Sequence, residues 1–258
     1  SFYIAMRLMP QAEREAMFAV YAFCRKADDI ADDGVGTRAE RHARLDVWRA
    51  DLESLYAGGA PGQAAFLAPA VGRYGLRLED FNAVLDGMDM DVAEDIVAPD
   101  LATLDLYCDR VASRVGPLSI KVFGMGEGPG FALAHHLGRT NILRDIDEDA
   151  AVGRLYLPRE YLEDAGITAL DPKAIVASPC IDEVCRRVAG MAHHHYDQAR
   201  AILNAGPRGR LRTPRLMGAV YSEILTASEA AGFAPPRRRA SLPKSRLLML
   251  AVRQGIFG

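Results

Sequence analysis

Apolar residues return every three or four positions along nearly the whole chain, as in Met17, Val20, Tyr21 and Cys24, or Val84, Leu85, Met88 and Val92. That period lines up one face of an α-helix, whereas a half-buried strand would alternate at a period of two. The expected fold class is therefore all-α. The spacing predicts helices over about 10–32, 38–57, 61–74, 78–97, 101–123, 128–149, 173–204, 213–232 and 243–254. Glycine and proline punctuate the pattern at Gly58-Gly59-Ala60-Pro61, Gly124 to Gly130, Gly206-Pro207 and Ala234-Pro235-Pro236. None of these breaks has the length of a linker, and no repeat or low-complexity tract is present. Residues 1–258, half of them hydrophobic, are predicted to form a single-domain helical bundle with a large core.

Two acidic clusters interrupt this apolar pattern, Asp28-Asp29-Ile30-Ala31-Asp32-Asp33 and Asn141-Ile142-Leu143-Arg144-Asp145-Ile146-Asp147-Glu148-Asp149. Asp28 and Asp32, like Asp145 and Asp149, stand four apart and stack on one helical face. Like charges so placed cost roughly 0.2–0.5 kcal/mol per pair, which a bound cation would reverse. Mg²⁺ bridging to a diphosphate suits the pattern, because Mg²⁺ prefers one or two carboxylates plus phosphate oxygens. In the first cluster Tyr21, Arg25, Asp28, Asp29 and Asp32 form one polar stripe, which also reads as a solvated face with Arg25 paired to Asp29. In the second, Asn141 extends the stack of Asp145 and Asp149, and Arg144 offers a planar fork to phosphate. A third acidic run, Asp86 to Asp95, reads mainly as solvated surface.

Other segments carry weaker signals. Small residues between Tyr107 and Pro117 leave room for close packing or for a ligand, and Pro117 should kink its helix. The glycine run 124–130 follows no strand and is read as a helix-to-helix loop rather than a dinucleotide site. His135-His136 and His193-His194-His195 lack the spacing of a zinc site. Nor is there a nucleophile elbow or a P-loop. A net charge of −3 and a pI near 6.1 give no general attraction to nucleic acid, although Arg237 to Arg246 is locally basic. Cys24, Cys108, Cys180 and Cys185 form no CxxC pair, so a reducing, cytoplasmic location is expected. No apolar stretch reaches the roughly 20 residues of a membrane span. The opening at Ser1 leaves room for a missing upstream piece.

Taken in order, these segments resemble the squalene/phytoene synthase family. Ser1-Phe2-Tyr3 is similar to its opening motif, and Tyr21-Ala22-Phe23-Cys24-Arg25-Lys26-Ala27-Asp28-Asp29-Ile30-Ala31-Asp32 to its first aspartate motif. Tyr107 to Gly116 resembles the central pattern. Thr140 to Asp149, with Arg154-Leu155-Tyr156-Leu157-Pro158 after it, resembles the second aspartate motif and its exit. Met90 to Ile96 and the Asp-Ile-Asp-Glu-Asp form of the second motif look most like the bacterial hopanoid-pathway presqualene diphosphate synthases. The resemblance implies an isoprenoid-synthase bundle with a central apolar cavity, joining two farnesyl diphosphates head to head with Mg²⁺. It implies roughly two or three metal ions on Asp28, Asp32, Asn141, Asp145 and Asp149. Ser1, Tyr21, Arg25, Asn141, Arg144, Tyr221 and Arg238 are then expected at the diphosphates, with Tyr107 steering or accepting a proton. No NADPH is expected for a reaction that stops at presqualene diphosphate. The apolar product implies handover to a downstream enzyme and peripheral contact with the inner face of the membrane. Leu247, Leu248, Leu250, Ala251 and Ile256 beside Arg237, Arg239 and Lys244 are the expected contact surface.

One departure stands out. Family members carry about one more turn, with a glutamine, before the Thr-Asn pair, whereas Gly138-Arg139 runs straight into Thr140-Asn141. Removing four residues turns a helix by about 40° beyond a full turn, so the face is roughly kept while an amide is lost. Phytoene or dehydrosqualene synthesis remains an alternative. So do a head-to-tail prenyltransferase, against which the second aspartate cluster argues, and a non-catalytic member acting in binding or assembly.

Overall fold

A computed structural model describes residues 6–7, 9–32, 35–93, 96–124, 127–205 and 212–257; within helices, the side chains at 32, 109–117, 120, 127–131, 134, 205, 212 and 254–257 are not described. Twelve α-helices and one 3₁₀ turn carry the described chain. They are α1 Gln11–Asp32, α2 Arg38–Tyr56, the 3₁₀ turn Gly62–Leu67, α3 Ala68–Tyr74, α4 Leu78–Ala93, α5 Leu101–Phe123 and α6 Glu127–Arg144. There follow α7 Ile146–Ala151, α8 Arg159–Asp164, α9 Pro172–Val176, α10 Ile181–Ala205, α11 Arg212–Ala231 and α12 Lys244–Phe257. Among the described residues there is no strand, only a parallel bridge between Val97 and Leu155. The all-α expectation holds.

Local chemistry explains several boundaries. Thr37 and Glu40 form a reciprocal capping box at the start of α2, satisfying two orphan backbone donors. Gly75 ends α3 in the left-handed conformation, at φ 58°, which a β-carbon would disfavour. Three expectations need correction. The helix expected over 128–149 divides at Asp145, whose φ of −105° and ψ of 12° leave the helical region. The helix expected over 173–204 divides around Pro179, because proline lacks the amide donor and clashes with the preceding turn. Helix α4 is described to Ala93 and does not extend to 97: Leu155 N–H donates to the Ile96 carbonyl at 2.8 Å and Ala98 N–H to the Leu155 carbonyl at 2.9 Å.

Two apolar clusters form the core. The first joins the inner face of α1, with Met17, Val20, Phe23, Cys24 and Ala27, to α2, α4 and the middle of α11. Phe23 meets Trp48 and Phe81 edge to face, at centroid distances of 5.3 and 5.2 Å. The second gathers Leu104, Tyr107 and Cys108 of α5 with Ile142, Leu143 and Ile146, and with the buried face of α10. Helix α5 packs on both α1 and α6, so the helices that carry the two acidic clusters share one support.

Candidate active site

The first acidic cluster lies on the outward face of α1. Arg25 Nε sits 3.0 Å from Asp29 and Arg25 Nη1 sits 3.7 Å from Asp28, so the pairing expected of a solvated face is present. Tyr21 is exposed on the same stripe. Asp32 closes the helix, but its side chain, like Ser1 and the side chains from Asp109 to Pro117, lies outside the described residues.

The second cluster is built around the joint at Asp145. Its N–H still donates to the Asn141 carbonyl at 2.9 Å, and Asp149 N–H donates to the Asp145 carbonyl at 2.9 Å. The backbone register therefore survives the bend, and Asn141, Asp145 and Asp149 stay four apart across it. Arg144 grips its neighbour with both arms of the fork, Nε to Oδ1 at 2.8 Å and Nη2 to Oδ2 at 2.5 Å. Burial works against the Arg144 charge, yet Asp145 and a hydrogen bond to Tyr221 more than offset it and hold its pKa above the ordinary value. Tyr221 is buried in the same cluster as Cys24 and Ala27, so it links the support of the first acidic motif to an arginine of the second.

Arg237, Arg238 and Arg239 arrive from the segment after α11. Arg237 donates to Asp147 through Nη2 at 2.7 Å and to the carbonyls of Phe233 and Val176. Arg239 donates to Asp145 Oδ1 at 2.7 Å and lies 3.6 Å from Glu148. Arg238 is exposed and makes no ion pair or hydrogen bond among the described residues. All three line a cleft of about 230 Å³ with Arg144, Asp147 and Glu148. This corrects the expectation that Arg237 and Arg239 form a free basic surface: both are committed to carboxylates. Leu247 and Leu250 likewise pack in the core, while Leu248, Met249 and Val252 remain exposed on α12. No helix among the described residues is long and apolar enough to cross a membrane.

A second group surrounds Tyr107. Its ring stacks on Tyr156 at 4.5 Å, and the two side chains are hydrogen-bonded. Burial, reinforced by the charges of Asp91 and Asp149, pushes the Tyr156 hydroxyl well above its ordinary pKa, so it stays protonated. Asp91 is only 6% exposed and departs from the reading of the third acidic run as mainly solvated, whereas Asp86 is exposed and Glu94 and Asp95 lie outside the described residues. Asp91 stands on the apolar stripe of Val84, Met88 and Val92, and a carboxylate at that register could have been noticed in the sequence. The histidines are all engaged in hydrogen bonds or ring contacts, with Asp89, Arg139, the Ala192 carbonyl, Glu229, Gln198 and one another.

The donor set suits a hard cation. Asn141 Oδ1 is buried without a hydrogen-bond partner, one helical turn before Asp145. Among the described residues no three His, Cys, Asp or Glu side chains converge into a cage. Few protein ligands completed by phosphate is the arrangement Mg²⁺ favours over an all-protein cage.

The helix runs unbroken through Arg139 and Thr140, with Thr140 Oγ1 donating to the His136 carbonyl at 2.8 Å. Gly138, three residues before Asn141, faces open space.

The family model described as squalene/phytoene synthase matches residues 1–246. The chain is 55% identical over 257 residues to a presqualene diphosphate synthase of Zymomonas mobilis, covering 98% of this chain and 88% of that one. A presqualene diphosphate synthase of Rhodopseudomonas palustris is 49% identical over 260 residues, with 99% and 93% covered. A crystal structure of a dehydrosqualene synthase with ligand superposes with a TM-score of 0.84 at 24% identity, covering 99% of this chain and 90% of that one.

Proposed function

Because the chain belongs to the squalene/phytoene synthase family, we propose that it joins two farnesyl diphosphates head to head and stops at presqualene diphosphate. The observation that carries this reading is the cleft where the unpaired Arg238 lies with Arg144 and Arg239, the two arginines that hold Asp145 of the second acidic stack. Asp28, Asp32, Asn141, Asp145 and Asp149 would hold Mg²⁺, which supplies positive charge to stabilise the departing diphosphate.

Arg25, Arg144 and Arg238, with Tyr21 and Ser1, bind diphosphate oxygens, and Tyr221 keeps the Arg144 fork in place. One farnesyl diphosphate loses its carbon–oxygen bond, the double bond of the second attacks the resulting allylic cation, and loss of a proton closes the cyclopropane. Tyr107, stacked on a Tyr156 that stays protonated, steers the proton, and the released diphosphate takes it. Apolar side chains around the tails exclude water, which would quench the cation. A product this apolar also calls for handover to a downstream enzyme or to a bilayer, and the exposed Leu248, Met249 and Val252 beside Lys244 form the surface for it.

Incubation with farnesyl diphosphate and Mg²⁺, with and without NADPH, tests the reading. Presqualene diphosphate formed equally in both is the expected product. Product only from geranylgeranyl diphosphate would assign the chain to phytoene synthesis. The turn absent from the sequence before Thr140 motivates a second reading, a binding member without turnover, and farnesyl diphosphate bound but recovered unchanged would support it.

A further inference from the structure

We propose that Arg239 is an exchangeable counter-ion: it holds the Asp145 carboxylate until a diphosphate takes its guanidinium, and so couples metal loading to substrate loading. The inference rests on the reading of this cleft as a diphosphate site. A carboxylate offers about four lone-pair positions. On Asp145 both positions of Oδ1 are taken, by Arg144 Nε at 2.8 Å and Arg239 Nε at 2.7 Å, and Arg144 Nη2 takes one of Oδ2. A divalent cation reaching Oδ1 must displace one of these guanidiniums, since it cannot share the lone pair and is repelled by the positive charge.

The two arginines are not equally easy to displace. Arg144 has a side chain only 18% exposed and a second hold on Tyr221, whereas the Arg239 side chain is 54% exposed, with Glu148 at 3.6 Å as its other partner. Arg239 is therefore the one that leaves. The segment that carries it is pinned two residues earlier, where Arg237 is fastened to Asp147 and to two carbonyls from separate parts of the chain. From that fixed base the Arg239 side chain can swing from Asp145 to a phosphate in the cleft without the backbone moving. Phosphate oxygens accept the planar fork bidentately and carry more charge than one carboxylate, so the exchange runs toward the diphosphate. The sequence places Arg239 in a basic run; only the fold places it on Asp145, 94 residues away.

Calorimetric titration of the intact chain with Mg²⁺ alone, and with Mg²⁺ plus inorganic pyrophosphate, separates the possibilities. Arg239→Gln is expected to bind Mg²⁺ alone about fivefold more tightly than wild type and Mg²⁺-pyrophosphate about fivefold more weakly, the scale of losing one exposed ion pair. Arg239→Lys should restore much of the wild-type pattern. A loss of structure would weaken both titrations, so only opposite changes support the exchange. Unchanged or weaker binding of Mg²⁺ alone by Arg239→Gln overturns it. If wild type binds no Mg²⁺-pyrophosphate, or Asp145→Asn binds it as well as wild type, the diphosphate reading fails and this proposal with it.

Discussion

Asp28→Asn and Asp145→Asn look equivalent in the sequence, where each removes a metal ligand and relieves repulsion between stacked carboxylates. The structure separates them. Asp145 accepts three charge-assisted hydrogen bonds, two of them from the largely buried Arg144. An asparagine keeps one accepting oxygen but turns an amide toward a guanidinium donor. Losing a hydrogen bond to a charged group costs about 1.5–3 kcal/mol. The exposed Arg239 pair adds at most about 1 kcal/mol. Relief of repulsion among Asp145, Glu148 and Asp149 returns about 0.2–0.5 kcal/mol per pair. The net cost is about 2 kcal/mol, which for a chain of this size lowers the melting temperature by about 4–8 °C. At Asp28 the ion pair with Arg25 is 3.7 Å long and well exposed, so losing that pair should shift stability by no more than about 0.5 kcal/mol. Thermal melts by circular dichroism measure the difference, alongside turnover of farnesyl diphosphate, which both variants should lose. Equal melting temperatures for the two variants would refute the argument that Asp145 is structurally committed.

Three further outcomes are expected. Burial pushes the His136 imidazole down to about 4, below the roughly 6.5 of an unfolded chain. As pH falls the unfolded state then binds the proton first, so stability is full above about 6.5 and declines toward 4, by up to about 3 kcal/mol. Urea midpoints across that range should fall in wild type and fall less in His136→Asn; a flat wild-type profile would sink this. Tyr221→Phe removes the hydroxyl that Arg144 uses, and should lower kcat/KM about tenfold, the scale of one hydrogen bond to a charged group. An unchanged kcat/KM would show that Arg144 needs no such hold. Because Gly138 faces open space, Gly138→Gln should fold and raise turnover by supplying an amide one turn from Asn141. Gly138→Ala controls for helix propensity, and equal turnover in the two would deny the amide any role.

Much of the site was legible because its signals are local. A period of three to four decides which residues share a helical face, so the Asp28–Asp32 register and the limits of α5, Leu101–Phe123, follow from spacing alone. Asn141, Asp145 and Asp149 could be stacked on paper for the same reason, and the bend at Asp145 preserves that register. Pro179 is a local signal as well, but the apolar period continues on both sides of it, so periodicity alone does not show the break between α9 and α10.

What the sequence by itself determined is thus helical content, the faces of the helices and the carboxylates and arginines from which a diphosphate site is proposed. Only the tertiary structure decided who pairs with whom. Arg237 and Arg239 reach Asp147 and Asp145 across some ninety residues, and Asp91 comes near Tyr156 because the chain after α4 bridges to Leu155. Coulomb attraction and desolvation depend on distance and burial, and those are set by how the helices pack rather than by their order along the chain.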